Sequence, residues 1–554
     1  MSTPTPPDLP PWASEVIDLY ESGACAQFLL HGNVGDLVLL PVAGGEPRLV
    51  ALDGFLRERL LARFDVVISY DVGNGIRVEK GGERFAEWPP AAKEATLAKA
   101  PREAIQVLTV YLRFCANLTR LKPDKATRVA VIVKNASLIV PPSPGGANYE
   151  LSAIASQLRD WAADPTIADQ HCATFLLTEN LNDLHPLVAR NPQSACVAVP
   201  LPQQAELEPA LNFLNTLYPL PLKPFAGNLT EPAASLAGAT LSSIETLLQT
   251  RQHHAKELTP QDLVALKKDL VEKDAQGLIE FVKSDRTLDD LHGQESIKNW
   301  LRQDIALWRA GDLAALPMGY LFCGPVGTGK TFMVECLAGE AGVPVVKMKN
   351  FRDKWVGSTE SNLEKIFRLL DALGRCIVFV DEADQALGRR SADSGDSGVS
   401  GRVYGMMAER MSDSRNRGRI LWALATSRPD LVEVDLKRPG RVDVKIPLFP
   451  TATPAEGYQL IRALANRRGV ALDETLSDAC RKSIPNLLTP GAAEALSVKL
   501  YRAIKTGAAS PADALTAALR DYQPPVPLTL IQDQIALAVA EATDLGFVPE
   551  CFRK

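Results

Sequence analysis

No stretch of this 554-residue chain reaches the roughly 18 consecutive apolar residues that a membrane-crossing helix needs. Positive charge is not in excess either. Lys and Arg number 60 against 66 Asp and Glu, for a net charge of -6. That balance argues against a protein whose main business is wrapping nucleic acid, though not against a local basic lining. The nine cysteines form no CxxC pair and no Cys/His cluster, which removes a zinc site. Cys323 and Cys376 sit inside apolar runs and read as buried thiols of a reducing compartment. A metalloprotease motif is missing, because His253-His254 is followed by Ala255 and Lys256 rather than by Glu and a second His at metal spacing. Met1 to Pro11 has no basic region leading into an apolar stretch, so a signal peptide is not expected. These absences together point to a soluble cytoplasmic protein with no membrane insertion.

What is present is ordinary globular composition over a length that suits about three to four domains. Short apolar runs read as buried strands: Phe28 to Leu30, Val66 to Tyr70, Val129 to Val133 and Thr174 to Thr178. Helical patterns fall between them, as in Arg102 to Leu118 and Leu151 to Ala162. Strands alternating with helices predict a parallel α/β sheet. After Gln203 the strand signals stop and the text turns helical. The second half repeats this plan. The expected organisation is a disordered tail (1–11), an α/β domain (12–202), a helical lid-like region with linker (203–284), a second α/β domain (285–452), a small helical domain (453–523) and a C-terminal extension (524–554). In that extension Leu530 to Thr543 reads as a helix that packs on its own chain or on a neighbour.

The strongest local signal is Gly324-Pro325-Val326-Gly327-Thr328-Gly329-Lys330-Thr331, which fits GxxxxGK[ST]. It lies between an apolar strand, Tyr320 to Cys323, and a helical run, Phe332 to Ala341, which is the context a phosphate-binding loop requires. Glycines let successive backbone N–H groups wrap phosphates, Lys330 brings a charge to the β/γ-phosphates, and Thr331 offers a hydroxyl to Mg²⁺. Asp381 follows Lys330 by 51 residues, at the end of the buried strand Cys376 to Val380. It is placed to orient the Mg²⁺ shell, and Glu382 beside it to polarise the attacking water. The expected fold class is therefore α/β, a P-loop NTPase parallel sheet with a helical lid, laid out twice, with the first copy degenerate.

From about Asp285 to Leu500 the sequence resembles the AAA clade of the AAA+ superfamily. Asp289-Asp290-Leu291-His292-Gly293 is similar to the family's segment beside the adenine, with His292 in place of a glycine, so the resemblance sets Leu291 and Gly293 against the nucleotide. Ala425-Thr426-Ser427-Arg428-Pro429-Asp430 resembles the sensor strand end, with Ser427 where Asn is usual. Arg438-Pro439-Gly440-Arg441 resembles the arginine-finger segment, which implies that Arg438 and Arg441 reach the γ-phosphate of a neighbouring subunit in a ring, most often a hexamer. Thr489-Pro490-Gly491-Ala492-Ala493-Glu494 resembles the lid-helix start that lays Gly491 and Ala492 near adenine and ribose. Lys354-Trp355-Val356-Gly357 aligns with the first pore loop, where an aromatic grips a polypeptide client. A core position for Trp355 is the bland alternative. Gly388 to Gly401 falls where the family keeps a second pore loop, or is a plain surface loop. The resemblance implies ATP and Mg²⁺ as ligands. The layout also resembles a tandem group, known from bacteria, cyanobacteria and algal plastids, in which a degenerate AAA-like half precedes an active one.

The first half carries Phe28-Leu29-Leu30-His31-Gly32-Asn33-Val34-Gly35-Asp36 where a strand and P-loop belong, without GK[ST]. Val129 to Val133 leads into Lys134-Asn135 where two carboxylates belong. Neither metal coordination nor water activation follows from these residues. Two functions from different classes remain: a ring motor that remodels, unfolds or disassembles a protein client, and a slow ATP-controlled switch whose first half recruits partners. Ser427, with its shorter reach, favours the second. A nucleic-acid translocase is disfavoured by the acidic balance.

Overall fold

The computed structural model describes residues 9–42, 44–90, 98–143, 148–168, 171–225, 227–275, 277–282, 286–349, 358–387, 397–473, 483–507, 510–520 and 522–553. The chain folds as two compact units.

In the first unit, strands β1 (Gln27–Gly32), β4 (Val66–Asp71), β6 (Val129–Val133), β7 (Cys172–Thr178) and β8 (Ala195–Val199) are mutually parallel in the order β8-β1-β7-β6-β4. An antiparallel edge strand, β5 (Gly75–Lys80), closes the far side. A separate hairpin, β2 (Leu37–Leu40) with β3 (Arg48–Ala51), follows β1. The all-apolar run of β6 is buried at every residue, as expected for a central parallel strand covered on both faces.

The second unit repeats this order. Its strands β10 (Gly319–Cys323), β11 (Val345–Met348), β12 (Cys376–Val380), β13 (Ile420–Thr426) and β14 (Val444–Pro447) lie as β14-β10-β13-β12-β11. Strand β9 (Ile279–Val282) pairs antiparallel with β11 at the edge. Counted along the chain, the parallel strands of both sheets run fifth, first, fourth, third, second. The doubled α/β layout is thus real at the level of strand order. Both sheets are mixed rather than purely parallel, because β5 and β9 each supply an antiparallel edge. β9 falls in the stretch read as lid and linker. Its four residues alternate buried and more exposed, too short a pattern to stand out beside helices.

Helices follow each sheet. In the first unit Gln204–Leu217, Thr230–Leu236, Leu241–His253 and Pro260–Asp274 enclose an apolar cluster that includes Leu207, Leu211, Leu236 and Ile244. In the second, Pro454–Asn466, Pro490–Lys505 and Pro511–Arg520 enclose Ile461, Leu496 and Leu515. The helix Ser358–Leu373, read by sequence with the second α/β domain, lies in the first compact unit. Beside its buried apolar residues Leu363, Ile366 and Leu370, several polar contacts tie it there. Arg368 donates to the Glu179 carbonyl and to the Asn180 side chain, Ser361 donates to Asp183, and Asn182 donates to Glu364.

Burial pushes the Glu364 carboxyl up to about 7; Arg368 pulls it down, while Asp183 and Glu360 push it further up. A carboxylic acid whose folded value lies above its unfolded value of 4.5 favours the folded state at low pH. That contribution is complete below the unfolded value and is lost as pH rises to about 7. Hydrogen exchange of Ser358–Leu373, corrected for intrinsic rates, is therefore expected to show weaker protection at pH 8 than at pH 5. Glu364→Gln should abolish the difference.

Candidate functional site

The loop between β10 and the helix Lys330–Ala341 is shaped by its glycines. Gly324, at φ 148, brings its α-carbon so close to β14 that a Cβ there would lie 2.1 Å from the Leu448 carbonyl oxygen. Gly329, at φ 86, caps the following helix in the left-handed region that side chains avoid. Gly327, at φ 83, accepts at its carbonyl from the Gly491 N–H, at 2.9 Å. Gly491 thus meets the phosphate loop, with Ala492 beside it, capped by the Thr489 hydroxyl. Pro325 and Thr328 close the turn through the Thr328 hydroxyl, which donates to the Pro325 carbonyl at 2.8 Å.

Lys330 bends back to donate to the carbonyls of Gly324 and Pro325, at 2.8 and 3.0 Å. Burial pulls its ammonium down to about 8, against the opposing pull of Cys323, Asp381 and Asp384. The Thr331 hydroxyl stands 3.4 Å from Asp381 Oδ2, so the two residues expected at the metal are neighbours. Asp381 also accepts from the Glu382 N–H at 3.1 Å. Glu382 is exposed and adopts φ 48, a conformation that costs a non-glycine residue of order 1–3 kcal/mol. The strain turns the chain sharply from β12 into the short helix Ala383–Ala386.

Ser427 is half-buried at the end of β13. Beside it the Thr426 hydroxyl donates to Asp384 at 2.6 Å. Leu291 packs on the core of the unit, while Gly293 has no atom within 4 Å of a would-be Cβ. His292 between them is held below the ordinary imidazole value, first by burial and then by Lys298 and Arg467. Arg438 is exposed and donates to Asp435 Oδ1 at 2.8 Å. Arg441 donates to the Asp435 carbonyl at 2.9 Å. Lys354, Trp355 and Val356 lie outside the described residues, as does 388–396 of the glycine- and serine-rich loop.

These residues fit the groups that sequence implied. Glycines at positive φ turn the loop tightly, a lysine stands at it, and a hydroxyl and a carboxylate sit together at the neighbouring strand end. One residue was missed. Lys347 on β11 donates to Asp381 Oδ2 at 2.7 Å and lies 5.4 Å from the centre of the Phe379 ring. A lysine interrupting the apolar run of β11 was the available signal.

The first unit shows what becomes of the same frame without the motif. Asn135 follows β6 at φ 51 and opens the short helix Ala136–Ile139, matching the backbone of Glu382. Its neighbour Lys134, in the place of Asp381, pairs with Asp53 at 3.0 Å. Asp53 lies in the first turn of the helix Leu52–Phe55. A cation thus stands where the second unit has the carboxylate of Asp381. In addition the Asp36 carboxylate accepts from the N–H groups of Leu241 and Ser242, both at 2.9 Å, at the start of a lid helix capped by Thr240. An internal carboxylate thus occupies the donors of that helix terminus. One nucleotide per chain is expected, and Lys330→Ala should bring binding by equilibrium dialysis to background.

Residues 320–449 match the family model described as "ATPase family associated with various cellular activities (AAA)". Residues 3–200 match "AAA+ chaperone, N-terminal Rossmann-like domain". Among curated relatives, an ATP-dependent zinc metalloprotease FtsH of Acidothermus cellulolyticus is 33% identical over 209 residues, 35% of this chain and 30% of the relative. A cell division cycle protein 48 homolog of Archaeoglobus fulgidus is 30% identical over 216 residues, 37% of this chain and 28% of the relative. The peroxisomal ATPase PEX1 of Dictyostelium discoideum is 32% identical over 163 residues, 28% of this chain and 13% of the relative. The matches span about a third or less of the length of these relatives.

Proposed function

We propose that this chain, which matches AAA+ family models over residues 3–200 and 320–449, hydrolyses ATP in a ring of its own copies, a hexamer, and uses the cycle to remodel a protein client. The observation that carries this reading is the meeting of Lys330, Thr331, Asp381 and Glu382 at the ends of β10 and β12, with Arg438 exposed on the segment before β14. Lys330 and the N–H groups of the loop bind and orient the phosphates. Thr331 and Asp381 would hold Mg²⁺, which would supply positive charge to the phosphates. Glu382 takes the proton of the attacking water. Arg438 and Arg441 stabilise charge in the site of the neighbouring subunit.

Relatives named as ATP-dependent metalloproteases support a client that is itself a protein, and Lys354, Trp355 and Val356 are the residues proposed to grip it. A second reading is the slow switch. The short Ser427 hydroxyl and the Lys347–Asp381 ion pair, which competes for the metal carboxylate, both favour low turnover.

Light scattering of the wild-type chain with a non-hydrolysable ATP analogue tests the ring. Six-chain particles are expected, and a monomer at saturating nucleotide would remove the ring and the role of the arginines. Trp355→Ala then separates the readings, since a motor loses client processing while keeping ATPase activity.

A further inference from the structure

The helix Leu528–Glu541 belongs to the same compact unit as the phosphate loop. Most of its buried face is apolar, formed by Ile531, Ile535 and Ala538. One polar residue interrupts it. Gln534 is only 3% exposed. A buried amide is costly unless it is hydrogen-bonded. Its side-chain oxygen accepts from the N–H of Val326, in the middle of the phosphate loop, at 3.1 Å.

Two helical turns further on, Glu541 stands on the same face, since seven residues return a side chain to nearly the same direction. Its carboxylate receives Lys437, and also Lys445 of β14 at 3.0 Å. Lys437 is buried and donates as well to the Pro429 carbonyl, at 2.9 Å. It directly precedes Arg438 in the chain, and Pro429 lies two residues after Ser427. Further contacts fix the segment in place. Lys445 N–H donates to the Thr543 hydroxyl at 2.8 Å, and Phe547 meets Trp300 edge-on with ring centres 5.5 Å apart.

We propose that this helix is a strut joining the nucleotide pocket of a subunit to the arginine-bearing segment it presents outward, with Gln534 and Glu541 as positioning residues at its two ends. Gln534 fixes the Val326 peptide and so the curvature of the loop that receives phosphate. Glu541 fixes Lys437 and so the base from which Arg438 projects. A change of the loop on nucleotide binding is passed along two rigid helical turns to the arginine segment. This rests on the ATPase reading above.

The test compares Gln534→Met, Gln534→Glu and Glu541→Gln, with a fluorescent methylanthraniloyl ATP for binding and phosphate release for turnover. Gln534→Met keeps length and loses the acceptor, and it should weaken nucleotide binding about fivefold with kcat nearly unchanged. Gln534→Glu keeps an acceptor oxygen but adds a buried negative charge beside the phosphate loop, so its binding should recover as pH is lowered and the carboxyl protonates. Glu541→Gln should leave binding unchanged and lower kcat about tenfold, because Lys437 loses its counter-charge. Equal loss in Gln534→Met and Gln534→Glu at every pH, including where the carboxyl is protonated, would reduce Gln534 to packing and overturn the proposal. So would unchanged kcat in Glu541→Gln. Wild-type protein that binds no nucleotide would overturn the ATPase reading itself, an outcome distinct from either.

Discussion

Arg438→Ala combined with Arg441→Ala is expected to lower kcat about 10³-fold or more, while ATP affinity stays within a few-fold. The two guanidinium groups share an anchor in Asp435, one on its carboxylate and one on its carbonyl, so either can take over part of the other's position. The double variant is therefore the informative one. The decisive control is mixing. Subunits carrying Lys330→Ala cannot use their own site but still present both arginines. Subunits lacking both arginines still bind ATP. If the arginines act across an interface, each preparation alone is inactive and the mixture recovers turnover, measured as phosphate release at fixed total protein. A mixture that stays inactive would place the arginines in their own subunit's site and remove the argument for a ring.

How much of this was legible in the sequence depends on the range of the interaction. The phosphate loop and the Asp381-Glu382 pair were readable because each is a short run in a fixed strand-to-helix context. The central strands β6 and β12 were readable because five consecutive apolar residues, covered on both faces, leave few alternatives. Edge strands were not. β5 presents only two fully buried residues out of six, and it is set by a hairpin with β4 rather than by its own composition. The β2–β3 hairpin lies just past the degenerate loop read at Phe28 to Asp36, and its pairing appears only once Leu37, Leu39 and Leu49 pack on the lid helices.

Long-range polar pairs were invisible for a different reason. Gln534 is separated from Val326 by 208 residues, and Lys347 from Asp381 by 34. Nothing local marks a glutamine in an apolar helix, or a lysine in a strand, as belonging to a site elsewhere in the chain. The partners that draw Ser358–Leu373 into the first unit lie about as far away: Asp183 and Ser361 are 178 residues apart. The absence of GK[ST] and of paired carboxylates in the first half was legible. What replaced them, an ion pair between Asp53 and Lys134 and a carboxylate on a helix terminus, joins residues 81 and 206 positions apart, which no local pattern marks.

Glu382→Gln is expected to lower kcat by about 10²- to 10⁴-fold and to leave ATP bound, because the amide keeps the size and the strained φ 48 backbone but accepts no proton. Single-turnover measurements should show the loss in the chemical step, with association of fluorescent ATP unchanged. A fall in affinity matching the fall in kcat would instead give Glu382 a ground-state role in binding. Asp381→Asn supplies the contrast. It weakens the charged ligand that faces Thr331 and frees Lys347 of its ion pair, so its defect should shrink as Mg²⁺ is raised, whereas that of Glu382→Gln should not. The first unit carries the same logic. Asn135 holds the backbone position of Glu382 and, like the engineered glutamine, cannot take a proton. Asn135→Glu should nevertheless restore nothing in a Lys330→Ala background. Lys134 stands where the metal carboxylate would be, and the backbone donors of the lid helix are already held by Asp36. Loss of activity at the second site takes one atom substitution, and regaining it at the first requires reversing a charge pair, releasing a helix terminus and rebuilding a glycine loop.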